Sequence, residues 1–267
     1  MASIYTHNRF GLLLMEKMGL ELKSITTKYN DLYRLGQQGP DIFFFNLKLM
    51  MKKDSPGMVI HSQSGKDYLD HIKPMLSNYN LDSPQGAYFI GSLCHYILDS
   101  KIHPLVDSLE EDDYKHLDIE TELDRYYLNQ DGYQARHYRL DRLIPQSEQV
   151  YHVVPQFYLN YEGVDEKAVI KGIKGFSLVK RFFITKTMFK EISLYTFLKI
   201  IGKEKFRALI MRSKPFEQSK NSNLILSKCF DDTLNIAINM IENAIDYIYN
   251  DGVLMDEFNI NYDGILV

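Results

Sequence analysis

The chain has 267 residues, 45% of them apolar and 25% charged, which suits a globular protein with a sizeable core. A net charge of −4 gives no general affinity for nucleic acid, so duplex binding is not expected. The two cysteines, Cys94 and Cys229, form no CxxC pair. A disulfide framework and a thiolate metal site are thereby excluded, both cysteines read as small buried hydrophobes, and a reducing compartment fits.

No apolar run reaches the roughly 18–20 residues that a membrane span requires. The block GLLLM near the start is followed by charges and by no small-residue cleavage site. No signal peptide is predicted, and the cytoplasm is the expected location.

In chain order, Phe10, Leu13, Leu14 and Met18 predict a helix over residues 9–29, with His7 just before it. Gly39-Pro40-Asp41 then breaks the pattern ahead of Ile42 and three phenylalanines. Asp41 has two readings, an N-cap or a carboxylate aimed into a site walled by Phe43 to Phe45. The three rings themselves read as core packing before an aromatic cage. Residues 51–57 read as a loop, and His61 opens an amphipathic segment through Tyr68, Leu69 and Ile72 that Pro74 interrupts.

Ser83-Pro84 starts the next helix, expected over residues 84–102 and apolar on nearly all sides, hence central and buried. It carries His95 and Asp99, with His103 four residues further on; His116 and Glu120 repeat that spacing. Residues four apart share a helix face, so each cluster offers imidazole nitrogen and carboxylate oxygen together, the donors that a Zn²⁺-like cation takes. A buried carboxylate is also costly unless paired or metal-bound, which favours the metal reading over a core His–Asp hydrogen bond.

Leu105 to Tyr114 reads as an acidic surface loop, and His71, His137 and His152 receive no role. Further helices follow, clearest over Leu178–Ile201 and from Phe230 to Ile248, with a short strand-like piece near Tyr151–Val154. No repeat or linker divides the chain, so residues 1–267 read as one all-α domain. Lys167 to Lys214 holds thirteen Lys and Arg against Glu191 and Glu204, a net of +11 in a chain of −4. That segment interleaves Lys180, Arg181 and Lys186 with Phe176, Phe182, Phe183 and Phe189. It reads first as a solvated face offsetting the acidic half, and second as a peripheral contact for anionic lipid.

Taken together, the early His7, the Gly-Pro-Asp turn with Asp41, His61, His95-x3-Asp99, His103 and His116-x3-Glu120 resemble the zinc-dependent phospholipase C family. The resemblance covers residues 7–124 and implies an all-helical domain with two or three zinc ions. It implies that Asp41, His61, His95 and Asp99 hold one zinc, that Asp99 bridges to a second bound in part by His7, and that His103, His116 and Glu120 hold a third. It also implies hydrolysis of a phospholipid or other phosphodiester, with Asp41 orienting or deprotonating the attacking water. Secreted members use an N-terminal tryptophan at the site of the early histidine, and this sequence has no tryptophan. Its Asp99-to-His103 gap is also shorter than theirs. Two other readings are a nuclease-like phosphoesterase of the same fold and a non-catalytic, metal-stabilised lipid-binding scaffold.

Overall fold

The computed structural model describes residues 3–50 and 54–267, and they fold as twelve α-helices joined by short 3₁₀ turns. Among the described residues there is no strand, only three isolated β-bridges. The fold is all-α. The helices are α1 (Ile4–Lys17), α2 (Leu20–Lys28), α3 (Asn30–Gly36), α4 (Leu47–Met50), α5 (Pro56–Ser62) and α6 (Gly65–Leu76). They continue as α7 (Pro84–Ser108), α8 (His116–Gln130), α9 (Glu148–Val153), α10 (Glu166–Phe182), α11 (Met188–Ile200) and α12 (Ser219–Asn250).

Helix α7 is the axis. Pro84 occupies its first turn and Ser83 Oγ accepts from the Gly86 amide at 3.0 Å, a capped start. Phe89, Ile90, Leu93, Ile97 and Leu98 have no exposed surface, each contributing about 1.5–3 kcal/mol of apolar burial. Helix α3 lies against it at backbone contact: a Cβ on Gly36 would stand 2.5 Å from the Tyr88 carbonyl oxygen and 2.8 Å from Gly91 Cα. Helices α1 and α12 also pack on α7 and on α8.

Several boundaries differ from the sequence expectation. Residues 9–29 are two helices, α1 and α2, and α1 begins early enough to carry His7. Helix α7 runs past residue 102 to Ser108, so His103 shares it with His95 and Asp99, and the acidic loop starts only at Leu109. Pro104 sits in its last turns, where the lost hydrogen bond bends a helix without ending it. Pro74 is likewise inside α6. The expected loop over 51–57 lies partly outside the described residues, and its end is helical, since α5 starts at Pro56 behind the Ser55 cap. The strand-like Tyr151–Val154 belongs to α9 and the 3₁₀ turn after it, because Ser147 caps a helix there. The run Leu178–Ile201 is broken by residues 183–187 between α10 and α11.

After α12 the chain turns through Asp251, in the left-handed region at φ 55°, and runs back over α6 and α7. The Gly65 amide donates to Ile260 O at 3.0 Å, the Tyr262 amide to His61 O at 3.2 Å, and Tyr96 Oη to Ile260 O at 2.9 Å. This tail lies on the helices that carry the site.

Candidate metal centre

All eight residues singled out in the sequence meet in one place. Asp99 lies between four imidazoles: His7 Nε2 stands 3.0 Å from Oδ1, His95 Nε2 3.1 Å from Oδ2, His103 Nε2 3.4 Å from Oδ1, and His61 Nε2 3.9 Å from Oδ2. Asp41 Oδ1 is 3.2 Å from His61 Nε2. On the other side, Glu120 Oε1 lies 3.7 Å from His103 Nε2 and 3.8 Å from His116 Nε2. Three compact donor sets result, His7–His95–Asp99, Asp41–His61–His95 and His103–His116–Glu120, each with ligand atoms within 4.8 Å of one another.

Local structure sets each position. The α7 repeat puts His95, Asp99 and His103 on one face at successive intervals of four. His7 is fixed by the start of α1, where Asp124 of α8 accepts from the Tyr5 amide at 3.2 Å and from the Thr6 amide and hydroxyl at 2.8 Å. That carboxylate satisfies amides that a helix start leaves free and complements its positive end. Asp41 is not an N-cap. It lies in the first turn of a 3₁₀ segment, Gly39–Phe45. Gly39 holds φ 46°, and a Cβ there would stand 2.5 Å from the His95 ring, so only glycine lets this turn approach. Of the three phenylalanines, Phe43 packs edge-on to Tyr158 and Phe45 stacks on Phe176. Phe44 alone turns towards the site, its centroid 5.2 Å from His61.

Four histidines are anchored through Nδ1. His61 pairs with Gly57 O at 2.7 Å, His95 with Gln37 O at 3.2 Å, His103 with Asp263 Oδ1 at 3.3 Å and His116 with Asp107 Oδ1 at 2.8 Å. An acceptor on Nδ1 fixes the proton there and leaves the Nε2 lone pair facing the cluster. Asp263, in the tail, was not singled out in the sequence; its only signal is the Asp-Gly turn, which announces a bend and not a site. Asp107 and Glu110 approach His116 from its exposed side, and Glu110 Oε1 accepts the His116 amide at 3.1 Å. His71 stacks on Tyr161 and His137 meets the Lys186 carbonyl, both elsewhere. Cys94 is buried, its thiol pushed up to about 12 by burial, whereas Cys229 is only half-buried.

A family model described as zinc dependent phospholipase C matches residues 6–163, more than half of the chain. The chain belongs to this family. No match is found among curated proteins or among solved structures. The family match contains every cluster residue from His7 to Glu120 and ends before α10, so Asp263 and the segment from α10 onwards lie outside it.

The cluster's own chemistry fits the metal that the family name implies. His61 Nε2, His95 Nε2, His103 Nε2, Asp41 Oδ1 and Asp99 Oδ1 are buried and make no hydrogen bond, although they lie within 3.0–3.9 Å of one another or of a neighbouring donor. Atoms that close without hydrogen-bond alignment suit ligands around a shared ion, since two donors about 2.1 Å from a tetrahedral zinc stand about 3.4 Å apart. Charge agrees. Asp41 and Asp99 are buried with histidines as their ion-pair partners among the described residues. Their compensation is protons on imidazole or a bound cation. Without the cation, protons do this work: burial alone would depress His103, but Asp99, Asp263 and Glu120 push it up to about 10. His95 and His116 are also raised against burial, by Asp99 and Glu120 respectively, and the histidines hold Asp99 well below the carboxylate range. His7 goes the other way, its burial outweighing Asp99, so it stays a neutral donor.

A cleft of about 400 Å³ opens onto the cluster, bordered by His61, His103, His116 and Asp263. Phe44, Met58, Leu117 and Phe206 give it apolar walls, and Lys205 adds a cation. No helix among the described residues is long and apolar enough to cross a membrane.

Proposed function

We propose that the chain is a metal-dependent phosphodiester hydrolase acting on a phospholipid or a related phosphoester. The observation that carries the reading is the convergence of imidazole nitrogens and buried carboxylates at the edge of an apolar-walled cleft. Asp41, His61, His95 and Asp99 would hold one zinc, Asp99 with His7 a second, and His103, His116 and Glu120 a third. When bound, such a cation lowers the pKa of its water towards about 7 and polarises a phosphoryl oxygen.

The protein's own groups then have distinct tasks. Burial pushes Asp41 up, but nearby positive charge, to which His61 and His95 contribute, draws it below the ordinary carboxylate range, so it is ionised at neutral pH and can take a proton. As water oxygen bonds to phosphorus, its proton passes to Asp41, the bond to the leaving alcohol breaks, and that oxygen is protonated from solvent. Gly57, Gln37, Asp263 and Asp107 hold the imidazoles in orientation through Nδ1. Phe44, Met58, Leu117 and Phe206 offer apolar surface to the leaving group and exclude water from it.

The test is hydrolysis of a phospholipid and of a soluble phosphodiester by the wild type and Asp41→Asn, with metal content measured on both. Turnover that falls at least about 100-fold in the variant while metal and fold persist supports the proposal. A metal-replete wild type that binds lipid without turnover would make it a scaffold, and preferential cleavage of single-stranded nucleic acid would make it a nuclease-like enzyme.

A further inference from the structure

Helix α11 turns its apolar side chains outwards. Glu191, Leu194 and Leu198 are buried, while Phe189, Ile192 and Ile200 are 83%, 58% and 78% exposed. At about 100° per residue the two sets are centred on opposite sides of the helix. Met188 and Phe197 border the exposed stripe, and Ser193 and Thr196 are the small polar residues within it. The inward side joins only a satellite cluster with Ile210, Tyr195 and Phe206, separate from the main core. Lys190 and Lys199 flank the stripe on either side, and Lys186 and Lys203 stand just beyond the two ends of the helix; all four are exposed. The helix has one acid, Glu191, which is buried and paired with Arg136 Nη2 at 2.7 Å, so the outward face carries no negative charge.

A helix docked on another protein, or on a second copy of this chain, would bury this stripe against apolar atoms, but it would not supply the row of anionic phosphates that suits the flanking lysines, of which Lys190 Nζ donates only to the Ile184 carbonyl at 2.7 Å. A stripe of aromatic and aliphatic groups bordered by lysines matches a lipid surface, where acyl chains lie beneath anionic phosphates. The net charge of +11 over Lys167–Lys214 agrees. We propose that α11 docks the chain on an anionic phospholipid bilayer, with Phe189, Ile192 and Ile200 in the acyl boundary and the four lysines against headgroup phosphates. Phe206, in the next turn, packs beneath α11 and also lines the cleft, with Lys205 beside it. Docking therefore sets the cleft one short turn from its lipid source. That consequence rests on the proposed hydrolase activity; the docking does not.

The experiment is flotation of the full chain with vesicles of phosphatidylcholine, with and without phosphatidylglycerol, at low and high salt. The wild type is expected to float with the anionic vesicles and to be released by salt. Phe189→Glu combined with Ile200→Glu, and separately Lys190→Glu combined with Lys199→Glu, should each cut vesicle partitioning at least about tenfold. Circular dichroism and metal content should stay as in the wild type, since these side chains touch neither core nor cluster. Equal binding by wild type and variants, or no preference for the anionic vesicles, overturns the proposal. So does a dimer that Phe189→Glu dissociates and that binds no vesicle. Loss of soluble-substrate hydrolysis in the Asp41→Asn protein, with flotation unchanged, keeps the two readings apart.

Discussion

The cluster on α7 and the stripe on α11 violate ordinary solvation in opposite directions. In the first, His95 and Asp99 are 0% and 2% exposed; in the second, Phe189 is 83% exposed. Neither arrangement stabilises the folded chain by itself, because one withdraws charge from water and the other leaves apolar surface in it. What differs is how well each is supported. The cluster is held by four α-helices, a 3₁₀ segment and a tail, with partners on the far nitrogens of four imidazoles, whereas α11 rests on a few side chains of a satellite core. A site that must hold donor atoms to within tenths of an ångström needs the rigid support. A surface that only partitions into lipid does not.

Substitutions should separate the two regions sharply. The largest effect is expected for Asp99→Ala, which removes the carboxylate common to four imidazoles. Bound metal should fall by at least one ion per chain by elemental analysis, and phosphodiester turnover by on the order of 10³-fold or more, about 4 kcal/mol. Unchanged metal content in a folded variant would end the metal reading of this cluster.

Next comes the alkaline behaviour of the metal-free protein. Because His103 is raised to about 10, with His95 and His116 also raised, their stabilisation is complete below the unfolded value of about 6.5 and is lost as pH climbs through that range. Asp99 and Glu120 are depressed, so theirs is present above about 4 and is lost only on acidification. Chelated protein should therefore melt on the order of 5 °C lower at pH 9.5 than at pH 6.5, relative to metal-loaded protein over the same interval. Parallel profiles for the two would show that cation and protons do not exchange in this cluster.

Asp263→Asn should act more gently, weakening metal affinity about 10–100-fold through the loosened His103 ring while leaving the fold intact. A competition titration against a chelator measures it. Smallest of all, Phe189→Glu should shift the unfolding free energy by no more than about 0.5 kcal/mol, as expected for an exposed position. A loss of several kcal/mol would mean that α11 is part of the core after all.

Much of the cluster was legible because α-helical spacing is local: His95, Asp99 and His103, like His116 and Glu120, are related by one turn, and a sequence displays that directly. The buried, all-apolar character of α7 was equally plain. Asp263 was not legible. It reaches His103 across 160 residues, and nothing in an Asp-Gly turn says which helix it will meet. The misread Tyr151–Val154 shows the other limit, since β-branched residues favour a strand until a capping serine and tertiary packing decide otherwise. Pro104 marks a third limit: the expected helix stopped at residue 102, two residues short of it, whereas α7 runs on through the proline to Ser108 despite the amide that it lacks.

The tail that returns over α6 and α7 also sets a timetable. His7 leaves the ribosome ahead of the other seven donors, and Asp263 follows all of them. His103 can find its Asp263 partner only after the residues of α12 have been synthesised, when Ile260 also offers Tyr96 a carbonyl for its hydroxyl. A nascent chain would thus expose an open, incompletely oriented donor set until that segment emerges. The centre is fully braced only when this non-local segment lies across α6 and α7.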